Sequence, residues 1–393
     1  MLAMNQKSAS ATWASGWGAL ETRDPREAAR IIAGEAALPF IPQLINRGVG
    51  SSLSGSTLSL LSSSYVQGPR SWQMSGPTVA SRRRNDEIHR DIDVYEEAWE
   101  GGSALSSREL KVQVMGPWSL AVATELSDGH RIVSESSAVR GFHDEWSGGV
   151  ADYLSELHRR FGKRIVLHIG EPYVDTLAQG RIAGTTDWDI IPPVHNDVLN
   201  AEWDRSISGV LDELGRVTIG DASQGAVDDV VMSCRASLPG NLEIPAWALP
   251  LIGLEEMEHA TANGSSTHRM LDRVGERIDA DGRAIVIGVA GDHGVVDDGT
   301  EVMPGSIAGG GDDVGDRDQA AVTTAYASED PARDRAVRIA RVWKAMGLDP
   351  TLMGERVNIV EGHGRRGREQ STAQSLRLAD DVRDMLRRDS GDL

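Results

Sequence analysis

Residues 284–289 read A-I-V-I-G-V, an unbroken apolar run. A strand with no polar face is covered on both sides, as strands of parallel sheets are. Runs of related but less continuous apolar character recur at 12–17, 48–55, 111–115, 164–168, 228–235, 249–254 and 357–360. The run at 48–55 rests on its place in the order, because Gly and Ser weaken it. Helical patterns separate these runs. At 24–32, Asp24 is placed to cap, Pro25 takes the first helical position and Glu27 lies three past the cap. Residues 85–99 align Ile88, Ile92, Tyr95 and Trp99, and 140–161 align Trp146, Val150, Leu154 and Leu157. Further helices are predicted over 196–214, 267–278, 333–346 and 371–388. Eight short strands alternating with helices predict an α/β fold, a single (β/α)8 TIM-type barrel over 11–390, with a doubly wound sheet as the alternative. Residues 1–10 read as a disordered tail and the Ser-rich stretch 56–82 as irregular.

One segment breaks the rhythm. Residues 292–330 hold ten acids, one base and seven glycines with no sustained period. Such a composition buries too little apolar surface to offset its ordering entropy, so a disordered acidic Gly-rich insert within the barrel is expected.

The net charge of −19 speaks against a nucleic-acid partner, because phosphate backbones select basic patches. The one basic cluster, Arg82-Arg83-Arg84, is offset by Asp86, Glu87, Asp91 and Asp93. A single cysteine excludes an internal disulfide framework and fits a reducing compartment. No apolar run reaches the length of about 18 residues that spans a bilayer, and the first residues have no signal-peptide character. A cytoplasmic protein with no membrane partner is expected. The 10 Trp against 5 Tyr and 3 Phe suggest tryptophan in core positions, with stacking on a flat ligand as a second use.

Three strand-like runs end on residues with chemistry. The run at 228–235 delivers Cys234, the run at 249–254 stops at Glu255, and the run at 357–360 stops at Glu361-Gly362-His363-Gly364. A thiol, a carboxylate and an imidazole just past parallel strands suit a metal or substrate site at one barrel mouth. Each has a plainer reading: a lone strand cysteine is a small buried hydrophobe, Glu255 begins a helix beside Glu256 and Glu258, and His363 is a loop residue. The run at 164–168 ends at Gly170-Glu171-Pro172, where Glu171 either holds a substrate nitrogen or caps a helix. No phosphate-binding or dinucleotide fingerprint is present.

Taken together, K-V-Q-V-M-G-P-W-S-L-A at 111–121, Glu171-Pro172 with the Leu177–Gly180 element after it, Asp24-Pro25 with its helix and R-G-V-G at 47–50 resemble the catalytic barrel of cobalamin-independent methionine synthase. The resemblance implies transfer of a methyl group from a methyl-folate, or from a methyl-carrier protein, to a thiol such as homocysteine, with zinc and without cobalamin. It places the zinc ligands at Cys234, Glu255 (21 residues later) and His363, with Glu171 at the substrate; Trp118 either lies under a flat ligand or packs in the core, His168 serves the site or fills the barrel interior, and Met232 packs or lines the substrate pocket. The sequence departs from the family at four points. Met232 stands at a histidine ligand position and His363 at a cysteine ligand position; Gly170 replaces an aspartate and Glu361 a proline. Those departures keep a second expectation open, a degenerate barrel that binds a small molecule or partner without turnover.

Overall fold

The structure, a computed structural model, describes residues 12–100, 107–184, 191–217, 227–234, 245, 247–263, 266–282, 284–289, 330–361 and 372–393. The acidic insert, apart from Asp330, and His363 lie outside these residues. So does the tail expected at 1–10.

The chain opens with strand β1 (Ala14–Gly16) and β2 (Ala19–Leu20), then helix α1 (Pro25–Glu35). Asp24 caps α1 through its side chain on the Arg26 N–H at 2.9 Å, and Ala28, Ala29 and Ile32 form its buried stripe. After β3 (Gln43–Leu44) come α2 (Leu53–Leu58), β4 (Ser64–Gln67), β5 (Trp72–Ser75) and α3 (Val79–Trp99). Next are β6 (Glu109–Met115), α4 (Pro117–Val122), β7 (Thr124–Glu125), α5 (Ser136–Phe161), β8 (Arg164–Glu171), α6 (Val174–Ala178) and α7 (Asn196–Val217). The second half runs β9 (Val227–Cys234), β10 (Ala248–Gly253), α8 (Leu254–Asn263), α9 (Ser266–Asp281), β11 (Ile285–Gly288), α10 (Pro331–Ala345), α11 (Met353–Arg356), β12 (Val357–Glu361) and α12 (Thr372–Asp389).

Seven strands make one parallel sheet in the order β1-β12-β11-β10-β9-β8-β6. The sheet curls into a nearly closed barrel. Between its edges, β1 and β6, runs the segment 38–41. Leu38 donates its N–H to the Ala14 carbonyl at 2.8 Å, Ile41 donates to Lys111 at 3.0 Å, and Lys111 donates to Pro39 at 2.8 Å. Pro39 and Pro42 have no N–H to give, so this stave forms no regular ladder.

Two sequence expectations change here. Residues 48–55 are not the second strand: Val49–Ser51 is a 3-10 turn, and Ser52 caps α2 by accepting the Gly55 N–H. The Gly-Ser content that weakened the strand reading is what lets the chain coil at that point. Nor is 56–82 irregular throughout, because β4 and β5 pair as an antiparallel hairpin and β7 joins β5 in parallel.

Alternation along each strand sorts the core. Ile165, Leu167 and Ile169 of β8, with Val230 and Met232 of β9, pack in the large cluster that includes helix residues. The opposite positions, Val166, Val231, Leu249, Leu251, Val286 and Val360, gather with Trp13, Trp17 and Leu38 in a cluster without helix members. That second cluster fills the barrel, as inward side chains do in parallel barrels.

Candidate functional site at the strand ends

The inward face of β6 is not apolar. Lys111 and Gln113 alternate with Leu110, Val112 and Val114, which pack among helix residues. Gln113, His168 and Val231 are register partners across β6, β8 and β9. The Lys111 ammonium, completely buried, donates to the carbonyls of Gly16 (3.0 Å) and Trp17 (2.8 Å) and lies 5.7 Å from the centre of the Phe40 ring. Burial lowers it to about 7. His168, also completely buried, holds Ser233 Oγ at 2.9 Å through Nε2 and meets the edge of Trp17. Burial, with the Lys111 charge second, pushes its imidazole well below the usual range, so the ring is neutral. Its Nδ1 has no partner among the described residues.

At the carboxyl end of β8 sits Glu171, fully buried. Its Oε1 accepts from Trp203 Nε1 at 2.7 Å and from the Trp118 N–H at 3.3 Å; its Oε2 accepts from the Ser119 N–H at 2.7 Å. The N-terminus of α4 is capped by this carboxylate from another strand, Gly116 itself having no side chain to do so. Burial raises the Glu171 carboxyl, and the hydrogen bonds pull in the opposite direction. Neither oxygen is left unoccupied. A Cβ on Gly116 would stand 2.2 Å from Glu171 Cδ, so glycine is what admits the carboxylate.

Cys234 ends β9 directly beside Glu171 in the parallel register. The thiol is partly buried. Burial first, then the charges of Glu171 and Asp175, push it far above the usual thiol range. Glu361 ends β12, with only 5% of its surface exposed and Oε2 unpartnered among the described residues; burial raises it to about 8, against the pull of Arg335.

Glu255 is the second residue of α8, just past β10, which adjoins β9; its side chain is exposed. Cys234 and Glu255 thus follow neighbouring strands, while His363 falls outside the described residues. Among the described residues no group of three or more His, Cys, Asp or Glu side chains is arranged to hold a metal ion. Met232 is fully buried on the helix-facing side of β9. Trp118 is buried between helices, its indole N–H on the Leu199 carbonyl at 3.2 Å and its ring edge-on to His143 at 4.7 Å. The structure therefore brings Cys234 and Glu171 together, puts His168 inside the barrel, and leaves Trp118 and Met232 as packing residues.

Sequence reasoning passed over Lys111, Gln113 and Ser233. The signal was present: K-V-Q-V is a period-two pattern whose polar members share one face.

No family model matches the chain, and no curated protein matches it in sequence. Among solved structures, a methyltransferase from Methanosarcina mazei aligns over 96% of this chain and 95% of its own, with 9% identity and a TM-score of 0.45. A likeness that remote carries neither the fold nor the reaction across. Among the described residues no helix is long and apolar enough to cross a membrane.

Proposed function

We propose that this barrel is a methyltransferase that passes a methyl group from a methyl-folate or a methyl-carrier protein to a small thiol such as homocysteine. What supports the reading is the placement of Cys234, beside Glu171 at the carboxyl ends of parallel strands, where barrels of this kind carry their chemistry. Of the segments that resemble cobalamin-independent methionine synthase, Glu171-Pro172 lies at the end of β8 and 111–121 covers the adjoining β6 and α4. In this reading the full count is (β/α)8, with segment 38–41 as the eighth stave.

Zinc is the metal of the reading, held by Cys234 and Glu255 with His363. When bound, it would keep an acceptor thiol deprotonated at neutral pH. The protein's own contribution is positional. Glu171 fixes α4 against β8, which sets the floor beside Cys234. The neutral His168 and Ser233 hold the barrel interior below it. Two carboxylates next to Cys234 favour a cation at this strand end and disfavour an unaccompanied thiolate.

The second reading, a degenerate barrel without turnover, is favoured by one observation: both oxygens of Glu171 are occupied by protein donors. Metal analysis of protein purified without added zinc separates the two. About one zinc per chain, lost in Cys234→Ser together with methyl transfer to homocysteine, fits the enzyme. A wild-type chain with no metal and no transfer sinks it and leaves the degenerate barrel.

A further inference from the structure

Away from Cys234, a cavity of about 70 Å³ lies among α3, the residues after β3, and β6. Its apolar lining includes Ile41, Ile92 and Val114. Into this lining come polar atoms with no partner among the described residues. They are the Tyr95 hydroxyl, on a side chain more than nine-tenths buried, and Nε of Arg84. The Tyr95 hydroxyl feels the charges of Asp91 and Arg47, which line the same space. An unpaired buried polar atom costs about 1–3 kcal/mol. Native structures keep few of them, and two at one cavity point to an absent partner.

A second recess, of about 640 Å³, adjoins the first. Arg47, Glu87 and Asp91 line both, and Arg47 pairs with Asp91 at 2.6 Å in that shared wall. The outer recess carries four arginines, Arg23, Arg47, Arg83 and Arg90, against two acids. On a chain of net charge −19 this is a local reversal of sign. Clefts of one sign concentrate small ions of the other.

We infer that the paired recesses bind a small anion with a short hydroxylated body, its carboxylate or phosphate among the outer arginines and its hydroxyl on Tyr95. The inner space admits on the order of five water-sized groups, which limits the body to a few heavy atoms. Arg84 is held for this role. Its guanidinium sits 5.2 Å from the centre of the Trp72 ring and donates to the Tyr65 carbonyl at 2.6 Å, and its Nε has no partner among the described residues. The site shares no residue with the strand-end group and stands whether or not the chain is a methyltransferase.

Titration calorimetry on the full chain tests it with three probes: glycerol phosphate, 3-hydroxybutyrate and inorganic phosphate. One hydroxylated probe binds at least about tenfold tighter than inorganic phosphate, the preferred head telling a phosphate ester from a carboxylic acid. Tyr95→Phe and Arg47→Gln each weaken that binding about fivefold or more, the worth of one hydrogen bond. Tyr95→Phe keeps the ring and leaves the ligand-free melting temperature unchanged or higher, since it removes an unpaired hydroxyl. Failure of both hydroxylated probes to bind overturns the inference. Binding that Tyr95→Phe leaves intact does so too, for it marks an anion held by surface arginines alone.

Discussion

Lys111 is far from its ordinary surroundings, its side chain fully buried inside the barrel. Folded, it binds a proton less tightly than it does in the unfolded chain. The unfolded chain therefore holds more protons from about pH 7 up to the usual lysine range, and Lys111 makes stability rise with pH across that window. Below the window the whole cost of a charge inside the barrel is present. Glu361, raised to about 8, pulls the other way up to that pH, so unfolding free energies from urea titrations should climb between pH 8 and 9, by up to about 1.4 kcal/mol per pH unit. In Lys111→Met the climb flattens; an unchanged slope in that variant would mean the ammonium is not buried as described. Glu171 makes a different prediction. Replacement by Gln turns an acceptor into a partial donor against three N–H groups. The expected loss is about 2–4 kcal/mol, read from denaturant unfolding.

Among elements, the two ends of helices α1 and α4 show why some of the fold was legible in the chain and some was not. The cap of α1 is local: Asp24, Pro25 and Glu27 lie within four residues, and the structure keeps the predicted helix. The cap of α4 comes from Glu171, more than fifty residues on, and nothing near Gly116 announces it. Asp24→Ala should cost about 1 kcal/mol. Gly116→Ala should cost more, about 1–3 kcal/mol, because the new methyl overlaps the Glu171 carboxylate. Thermal melts of the two variants check the order; the reverse order would show that Glu171 has room to move. The same contrast of near and far explains segment 38–41. L-P-F-I-P carries two prolines and looks like a loop, yet tertiary pairing recruits it. The tryptophan excess also resolves at this scale. Indole N–H groups reach from α3 to Ala29, from α5 to Met115, from α4 to Leu199 and from α7 to Glu171, so each large ring packs an interface and pins it with one hydrogen bond. Periodicity placed Trp99 and Trp146 in the core but could not say which carbonyl each would find.

For the whole molecule, the weak point of the ring is where the irregular stave meets the edge strands. Phe40 sits there, 1% exposed, against Lys111 and beside Gly16, where a Cβ would come within 2.7 Å of its ring. Phe40→Ala should cost about 3–5 kcal/mol, and hydrogen exchange should quicken first in β1 and β6. Uniform quickening across all strands would show that the joint is no weaker than the rest. A related arrangement governs how the chain reaches this state at all. Strand β1 lies against β12, with Ala14 opposite Ile359 and Gly16 opposite Glu361. A ribosome delivers Ala14 hundreds of residues before Ile359, so β1 stays without this partner until both have emerged. Such late pairing slows folding and leaves an unsatisfied edge open to stray partners meanwhile.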